Sequence, residues 1–338
     1  MLLLVSLLLA ATLTTPGTQP QVAHDGDRVV VTVARGDRIG VLRSTDAGRT
    51  FREATSIVPA GRMAAGMRRG PRVAVTSSTV IVSAVVGAQG GGKDGDIVVY
   101  RSTDQGTTWT TGTVVNDVPA AAREGMHGMA ATPEGLVVVT WLDLRENGTR
   151  VYAAVSRDHG ATWEPDVLAA SSPDGAVCEC CHPSVALDGH AIAILFRNHV
   201  GGARDLHVVR SSDGRTFTAP AKQGTGTWAL QACPMDGGGL TLDPRGVTSA
   251  WRREDRVYLS SPLEPERFVA IGRDPVVAAR AGGLALAWTT RDGVMLQRGS
   301  TTRLIGAGGF ASIAAFRDHT LVAVEHGGQV TVHVVPRE

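Results

Sequence analysis

Three of the chain's four cysteines, Cys178, Cys180 and Cys181, fall in the stretch GAVCECCHPSVALDG with His182 directly after them. The fourth, Cys233, stands in QACPMDGGG two residues before Met235. Further Met and His side chains, Met126 and His127, occupy REGMHGM. Thiolate, imidazole and thioether groups brought together suit soft or borderline ions, Cu(I) first and Zn(II) next. Four cysteines in an oxidising compartment would equally form two bridges that pin loops, and connectivity is not deducible from sequence. A redox-active thiol is the third reading, and it requires a depressed thiol pKa that sequence does not show. CxCC is not a standard zinc knuckle, and oxidation competes with ligation outside the cytoplasm. The three readings stay open at this level.

A second set is polar. WLDLRENGTR offers Asp143, Arg145 and Glu146, FRNHVGGARD offers Arg197, Asn198, His199, Arg204 and Asp205, and WRRED offers Arg252 and Arg253. Arg145, Arg197 and Arg252 fall at comparable places in three successive units. Converging guanidinium groups bind a carboxylate, phosphate or sulfate bidentately, with Asp143 and Asn198 completing the polar set. Any one of them alone reads as a solvated loop arginine, since all but two of the chain's Lys and Arg residues are arginine.

These side chains need a scaffold, and composition indicates its class. The chain has 338 residues, a formal net charge of +1, 41 glycines and few aromatics. Near-neutral charge gives no electrostatic case for nucleic acid or an anionic membrane surface. Abundant glycine with short Val, Thr and Ala runs suits many short strands and tight turns. Residues 1–19, MLLLVSLLLAATLTTPGTQ, form an apolar leader-like run with no Lys or Arg before Arg28. The run is too short to span a membrane comfortably, so it reads as a signal peptide. The expectation is an exported chain, periplasmic or secreted, with residues 20–338 as one domain.

That domain is repetitive. STDAGRTF (44–51), STDQGTTW (102–109) and SRDHGATW (156–163) share Ser-x-Asp-x-Gly-x-Thr-aromatic, and SSDGRTF (211–217) is the same box one residue shorter. The box aspartates Asp46, Asp104, Asp158 and Asp213 recur at intervals of 58, 54 and 55 residues. Ser and Asp bond to nearby backbone amides, Gly supplies positive φ, and the aromatic packs back on the sheet, which is the chemistry of a hairpin turn. Alternating apolar runs lead into each box: IGVLRS, DIVVYRS, RVYAAVS and LHVVRS.

The pattern resembles the Asp-box (BNR) repeat of the sialidase superfamily. The resemblance implies an all-β propeller in which the box joins the third and fourth strands of a blade, structurally, on the face away from the ligand funnel. Paired inner strands from PQVAHDGDRVVVTVA to ASIAAFRDHTLVAVE give seven units, the last three without a recognisable box and the last expected to lack its outer strand. Six blades is the alternative. In this order two loop sets meet at the funnel, those entering each first strand and those joining strands two and three. The first set carries the Cys, Met and His residues, and the second carries the arginines. A propeller closes its sheet around a central channel and leaves only short edges.

The catalytic set that the resemblance implies is a tyrosine with a glutamate partner, an aspartate acid/base and three carboxylate-binding arginines. The only tyrosines, Tyr100, Tyr152 and Tyr258, lie on expected third strands, away from a nucleophile's position. GPRVAV, with Arg72, is a poor match to the family's Arg-Ile-Pro motif. Asp143, Glu146 and Glu179 remain as carboxylates for a two-carboxylate glycosidase. The combination of CxCCHP, FRN…GGARD and ACPMDG is similar to an exported bacterial sialidase-like subgroup. The expected function is therefore a binding or metalloprotein role, with copper or zinc held by Cys178, Cys180, Cys181, His182, Cys233, Met235, Met126 and His127. The alternatives are a glycoside hydrolase acting on an anionic sugar and a scaffold whose cysteines are staples. The expected partner is a small anionic ligand or glycan, with no nucleic acid, no membrane span and a monomeric state.

Overall fold

A computed structural model describes residues 11–280 and 283–337 of the chain. Seven antiparallel sheets are arranged as the blades of a propeller, and no helix occurs among the described residues. Among the described residues no helix is long and apolar enough to cross a membrane. The first strands, which line the axis, are Thr18–Asp25, Arg72–Val75, His127–Ala131, Ser184–Asp188, Gly239–Asp243, Arg273–Arg280 and Gly309–Ala315. Each pairs antiparallel with the second strand of its own blade, as His127–Ala131 does with Val137–Asp143.

Second strands are nearly continuous runs of buried residues: Val80–Gly87 and Val137–Asp143 are covered on both faces. That is why they read as Val- and Ile-rich rather than alternating, since the neighbouring blade covers the face that solvent would take. Between blades one and two, Val30, Ile39 and Val41 interlock with Val73, Val82 and Val86. Similar apolar layers fill the other blade interfaces.

The box turns behave as the spacing predicts. Ser44 Oγ donates to Asp46 Oδ1 at 2.6 Å and accepts the Gly48 amide at 2.9 Å. Asp46 also takes the Thr50 amide (2.9 Å) and the Thr50 hydroxyl (2.7 Å). The same four bonds recur around Asp104 and Asp158. Asp213 keeps its bonds to Ser211 and Thr216 in the shorter box. Ala47 and Gly48 take φ of +60° and +79°, the turn conformation for which the box glycine is needed. His159, inside the third box, reaches Thr76 in the turn between the first and second strands of blade two at 2.9 Å. The boxes therefore lie at the end opposite the Cys and Arg loops and are structural.

Seven blades are present, not six. The seventh does not lack its outer strand: Ala11–Pro16 pairs antiparallel with Gln329–Pro336, so the N-terminus closes the ring onto the C-terminal strands. Arg35 anchors this strand through Thr15 Oγ1 and the Pro16 carbonyl. Residues 1–10 of the leader-like run lie outside the described residues. The described strand Ala11–Pro16 belongs to the propeller and lies ahead of residue 20.

Candidate functional site

The loops entering blades four and five meet, as the topology requires, and bring all four cysteines together. Cys180 and Cys233 form a disulfide with Cα atoms 6.3 Å apart. Cys178 and Cys181 remain as buried thiols. Cys178 Sγ lies 3.4 Å from Cys181 Sγ and 3.7 Å from Cys180 Sγ, and Met235 packs against the cluster. The set of four thiolate ligands is thereby corrected: a disulfide sulfur is not a thiolate donor, so one bridge and one Cys-x-x-Cys dithiol share the site.

The two thiols differ in environment. A hydrogen bond with Cys181 pulls the Cys178 thiol down to about 6 against the opposing effect of burial, helped by Arg204 and Arg197. Arg204 Nη1 donates to Cys178 Sγ at 3.2 Å. Burial, and then the same sulfur pair, push the Cys181 thiol well up. The sulfur pair beside the fixed cation of Arg204 is a setting that favours a thiolate at Cys178.

The polar motifs turn out to support this cluster. Arg197, 1% exposed, donates to three backbone carbonyls: Asp236 (3.0 Å), Arg204 (2.7 Å) and Arg252 (3.1 Å). Its own carbonyl accepts the Cys178 amide at 3.0 Å. The Asn198 amide bonds to Asp205 O, and Asn198 Oδ1 caps the His199 amide, so Asn198 is buried and structural. Asp205 Oδ1 accepts the Trp228 amide, and the Trp228 ring stands between Arg197 and Arg252, 5.3 and 5.5 Å from their guanidinium carbons.

Arg145 does not join them. Its guanidinium is held by Asp143 and Asp166, both buried, and lies 3.8 Å from the Tyr152 ring centroid. Asp143 also accepts Trp141 Nε1 at 2.8 Å. The structural counterpart of Arg145 in blade five is Arg253, which lies 3.9 Å from the Tyr258 ring centroid and pairs with Glu266. Each of these tyrosines faces the tryptophan of its own second strand in register. Arg252, by contrast, bonds to the Glu254 and Pro234 carbonyls. The three arginines do not converge on one anion because two of them are held by backbone carbonyls and the third by its own blade's carboxylates.

Among the remaining expected ligands, Met126 is fully buried in the apolar layer between blades three and four with Leu142 and Val177. His127 Nε2 bonds to Ser83 Oγ at 3.0 Å, and burial with the charge of Arg72 lowers its pKa to about 3. His182 borders the axial channel, where burial and the charges of Arg68, Arg72 and Arg197 hold it neutral. Its Nδ1 has no partner. A Cβ on Gly237 would stand 2.0 Å from His182 O and 2.6 Å from Nδ1, so the loop carrying Met235 and Asp236 can seat here only with glycine.

The three tyrosines lie on third strands, as the repeat predicts. Glu146 pairs with Arg150 and is about half exposed, and Glu179 is exposed. Asp236 and Asp274, which sequence reasoning passed over, are both buried and stand side by side at the entries to blades five and six. The Asp274 amide donates to Asp236 Oδ2 at 2.8 Å, and burial raises the Asp274 carboxyl pKa. Their signal in sequence was position alone, at the start of blade five and of blade six.

Residues 76–226, which span most of blade two and blades three and four, match the family described as BNR repeat-like domain. Among solved structures, the alpha-L-arabinanase of Penicillium chrysogenum complexed with arabinobiose is similar at 14% identity, over 97% of this chain and 98% of that one, with a TM-score of 0.58. The GH93 alpha-L-arabinofuranosidase of Fusarium graminearum is similar at 13% identity over 95% and 93% of the two chains, TM-score 0.55. The Trypanosoma rangeli sialidase is similar at 16% identity over 95% of this chain and 54% of its own, TM-score 0.52. At these identities the likeness speaks for the fold. No curated protein sequence matches the chain. The chain is a seven-bladed β-propeller carrying a BNR repeat-like domain, similar in fold to the arabinanase, arabinofuranosidase and sialidase structures above.

Proposed function

We propose that the chain is an exported binding propeller that holds a soft metal ion, Cu(I) before Zn(II), on the Cys178/Cys181 dithiol. The observation that carries this reading is the pair of buried thiols 3.4 Å apart, with Met235 packed against them. A cuprous ion on two thiolates leaves an anionic complex, and Arg204, 3.2 Å from Cys178 Sγ, supplies the compensating charge. The Cys180–Cys233 bridge ties the loops of blades four and five so that the pair is held before metal arrives. Such a bridge also fits an oxidising compartment. The ion itself would supply ligand exchange or electron storage. The chain's residues hold it, exclude water and balance its charge.

The test is metal content with a free-thiol count on protein prepared without chelators. About one copper per chain is expected, lost in Cys181→Ser and retained in Arg253→Gln. Two titratable thiols with no metal uptake from a Cu(I) donor would leave the cluster a staple. The shared fold favours a second reading, a glycoside hydrolase on an anionic sugar or arabinan, with Asp236 and Asp274 as the carboxylate pair. Release of chromophore from aryl sialoside or aryl arabinofuranoside, abolished in Asp274→Asn, would move the assignment there.

A further inference from the structure

Where the second strand ends, blades one, three and five each fold an arginine back over their own third strand. In blade three Arg145 lies on the Tyr152 ring between Asp143 and Asp166. In blade five Arg253 lies on Tyr258 and pairs with Glu266. In blade one Gly40 stands at the tyrosine's place, four residues before the box serine, and Arg35 fills the space and pairs with Glu53. A Cβ on Gly40 would stand 2.7 Å from Arg35 Nε. Each of these blades supplies both the cation and the carboxylate that compensates it.

Blade two has no such arginine. Its second and third strands, Val80–Gly87 and Asp96–Ser102, pair in the register of blade three, Ser102 opposite Val80 as Ser156 stands opposite Val137. That register puts Ala84 at the place of Trp141, Val98 at that of Tyr152 and Val86 at that of Asp143. Gly112 follows its box serine by ten residues as Asp166 does, and Ala88 follows Ala84 by four as Arg145 follows Trp141. Small residues at these places leave a groove of about 830 Å³ between blades one and two. The Tyr100 and Trp109 rings line it with Asp94 and Asp96, and no Lys, Arg or His does. The Asp94 carboxylate accepts the Gln89 and Gly90 amides, and Asp96 accepts the Asn116 side chain and the Ala120 amide. These are neutral donors, so both negative charges lack a counter-ion in the groove.

We propose that this groove receives an arginine side chain of another polypeptide, its guanidinium between Tyr100 and the carboxylates of Asp94 and Asp96, as blade three seats its own Arg145. Aromatic rings beside unpaired carboxylates favour a guanidinium, which stacks on the one and bonds to the other. The groove is larger than one side chain needs, and two of its lining residues, Val58 and Val114, are 55% and 56% exposed. They offer apolar contact to the residues flanking that arginine, where a free organic cation would leave them in water. The groove shares no residue with the thiol cluster, so it stands or falls without reference to bound metal.

The experiment is fluorescence anisotropy of a fluorescein-labelled pentapeptide pool, with arginine fixed at the centre and Ala, Val or Ser at the flanks, titrated with the protein. Saturable binding is expected, weakened roughly tenfold when citrulline, the uncharged isostere, replaces the arginine. Ala88→Arg supplies the guanidinium from the chain itself, as blade three does, and should weaken peptide binding by roughly the same factor. Asp94→Asn keeps an acceptor for the loop amides while removing the charge, and covers the case in which the Ala88 variant does not fold, with a similar loss expected. Agmatine, the arginine side chain without a peptide, should bind more weakly than the pool. Absence of saturable binding, equal binding of the citrulline pool, undiminished binding in both variants, or agmatine binding as tightly as the pool would each overturn the proposal.

Discussion

Replacing Arg197 by lysine should loosen the thiol cluster more than any other single change on the blade-four side. The native guanidinium, 1% exposed, makes bonds of 3.0, 2.7 and 3.1 Å to the carbonyls of Asp236, Arg204 and Arg252. Hydrogen bonds to a charged donor contribute about 1.5–3 kcal/mol each, and a buried acceptor left unmade costs about 1–3 kcal/mol. An ammonium on a shorter stem keeps one of these bonds at best. Two lost bonds, discounted for non-additivity and for water reaching the rim carbonyls, come to about 4 kcal/mol. Both free thiols are essentially without solvent exposure, so alkylation requires local opening of the loops that Arg197 ties. A loss of about 4 kcal/mol converts to roughly a thousandfold faster alkylation of Cys178 and Cys181 in the exchange-limited regime. Mass spectrometry of iodoacetamide-quenched samples reads both sites. Acceleration below tenfold in a folded Arg197→Lys protein would refute the assignment of Arg197 as the tie between these loops.

Two further outcomes follow from the fold. Hydrogen bonds hold the box carboxylates of Asp46, Asp104, Asp158 and Asp213 down to about 2, below the usual 3.8. A lowered folded-state pKa contributes stability that is fully present above about 4 and is lost as pH falls through about 2. The urea midpoint should therefore hold steady down to about pH 4 and decline from there toward pH 2, and an Asp158→Asn, Asp104→Asn double variant should show a shallower decline. A chain truncated through Pro16 loses the strand that closes blade seven, with its partly buried Leu13 and the bonds from Arg35. About 3 kcal/mol, or roughly 5 °C in Tm, is the expected cost by calorimetry, and an unchanged Tm would remove Ala11–Pro16 from the closure.

The blades were legible because their signals are local. A box turn is fixed within seven or eight residues by Ser, Asp, Gly and Thr, whose bonds reach only two to four positions along the chain. Closure is not local. The strand Ala11–Pro16 finds its partner more than 300 residues away, and its sequence shares the apolar character of the leader-like run it extends. No period in the sequence marks it. The comparison of Arg145 with Arg252 failed for a related reason. Both second strands end two residues beyond their tryptophans, but the arginine that stacks on the third-strand tyrosine lies in the loop four residues beyond Trp141 in blade three and on the strand two beyond Trp251 in blade five. The in-register Trp–Tyr pairs, Trp141 with Tyr152 and Trp251 with Tyr258, were the signal that aligns them.

At the cysteine cluster, topology indicated which loops meet but not how their sulfurs pair, because pairing depends on distances of a few ångströms that a strand count does not set. The geometry explains instead why three separated motifs occur in one chain. CECCH supplies the thiols, FRN…GGARD supplies Arg197 and Arg204, and ACPMDG supplies Cys233, Asp236 and the glycine that fits against His182. Arg197 accepts the amide of the first motif on its carbonyl and donates to the carbonyl of Asp236 in the third. Arg204 donates to the sulfur of Cys178. Removing any one motif leaves buried donors, acceptors or a bare thiolate in the other two, so the three form a single device. The box aspartates, at the opposite end of the first four blades, are no part of it.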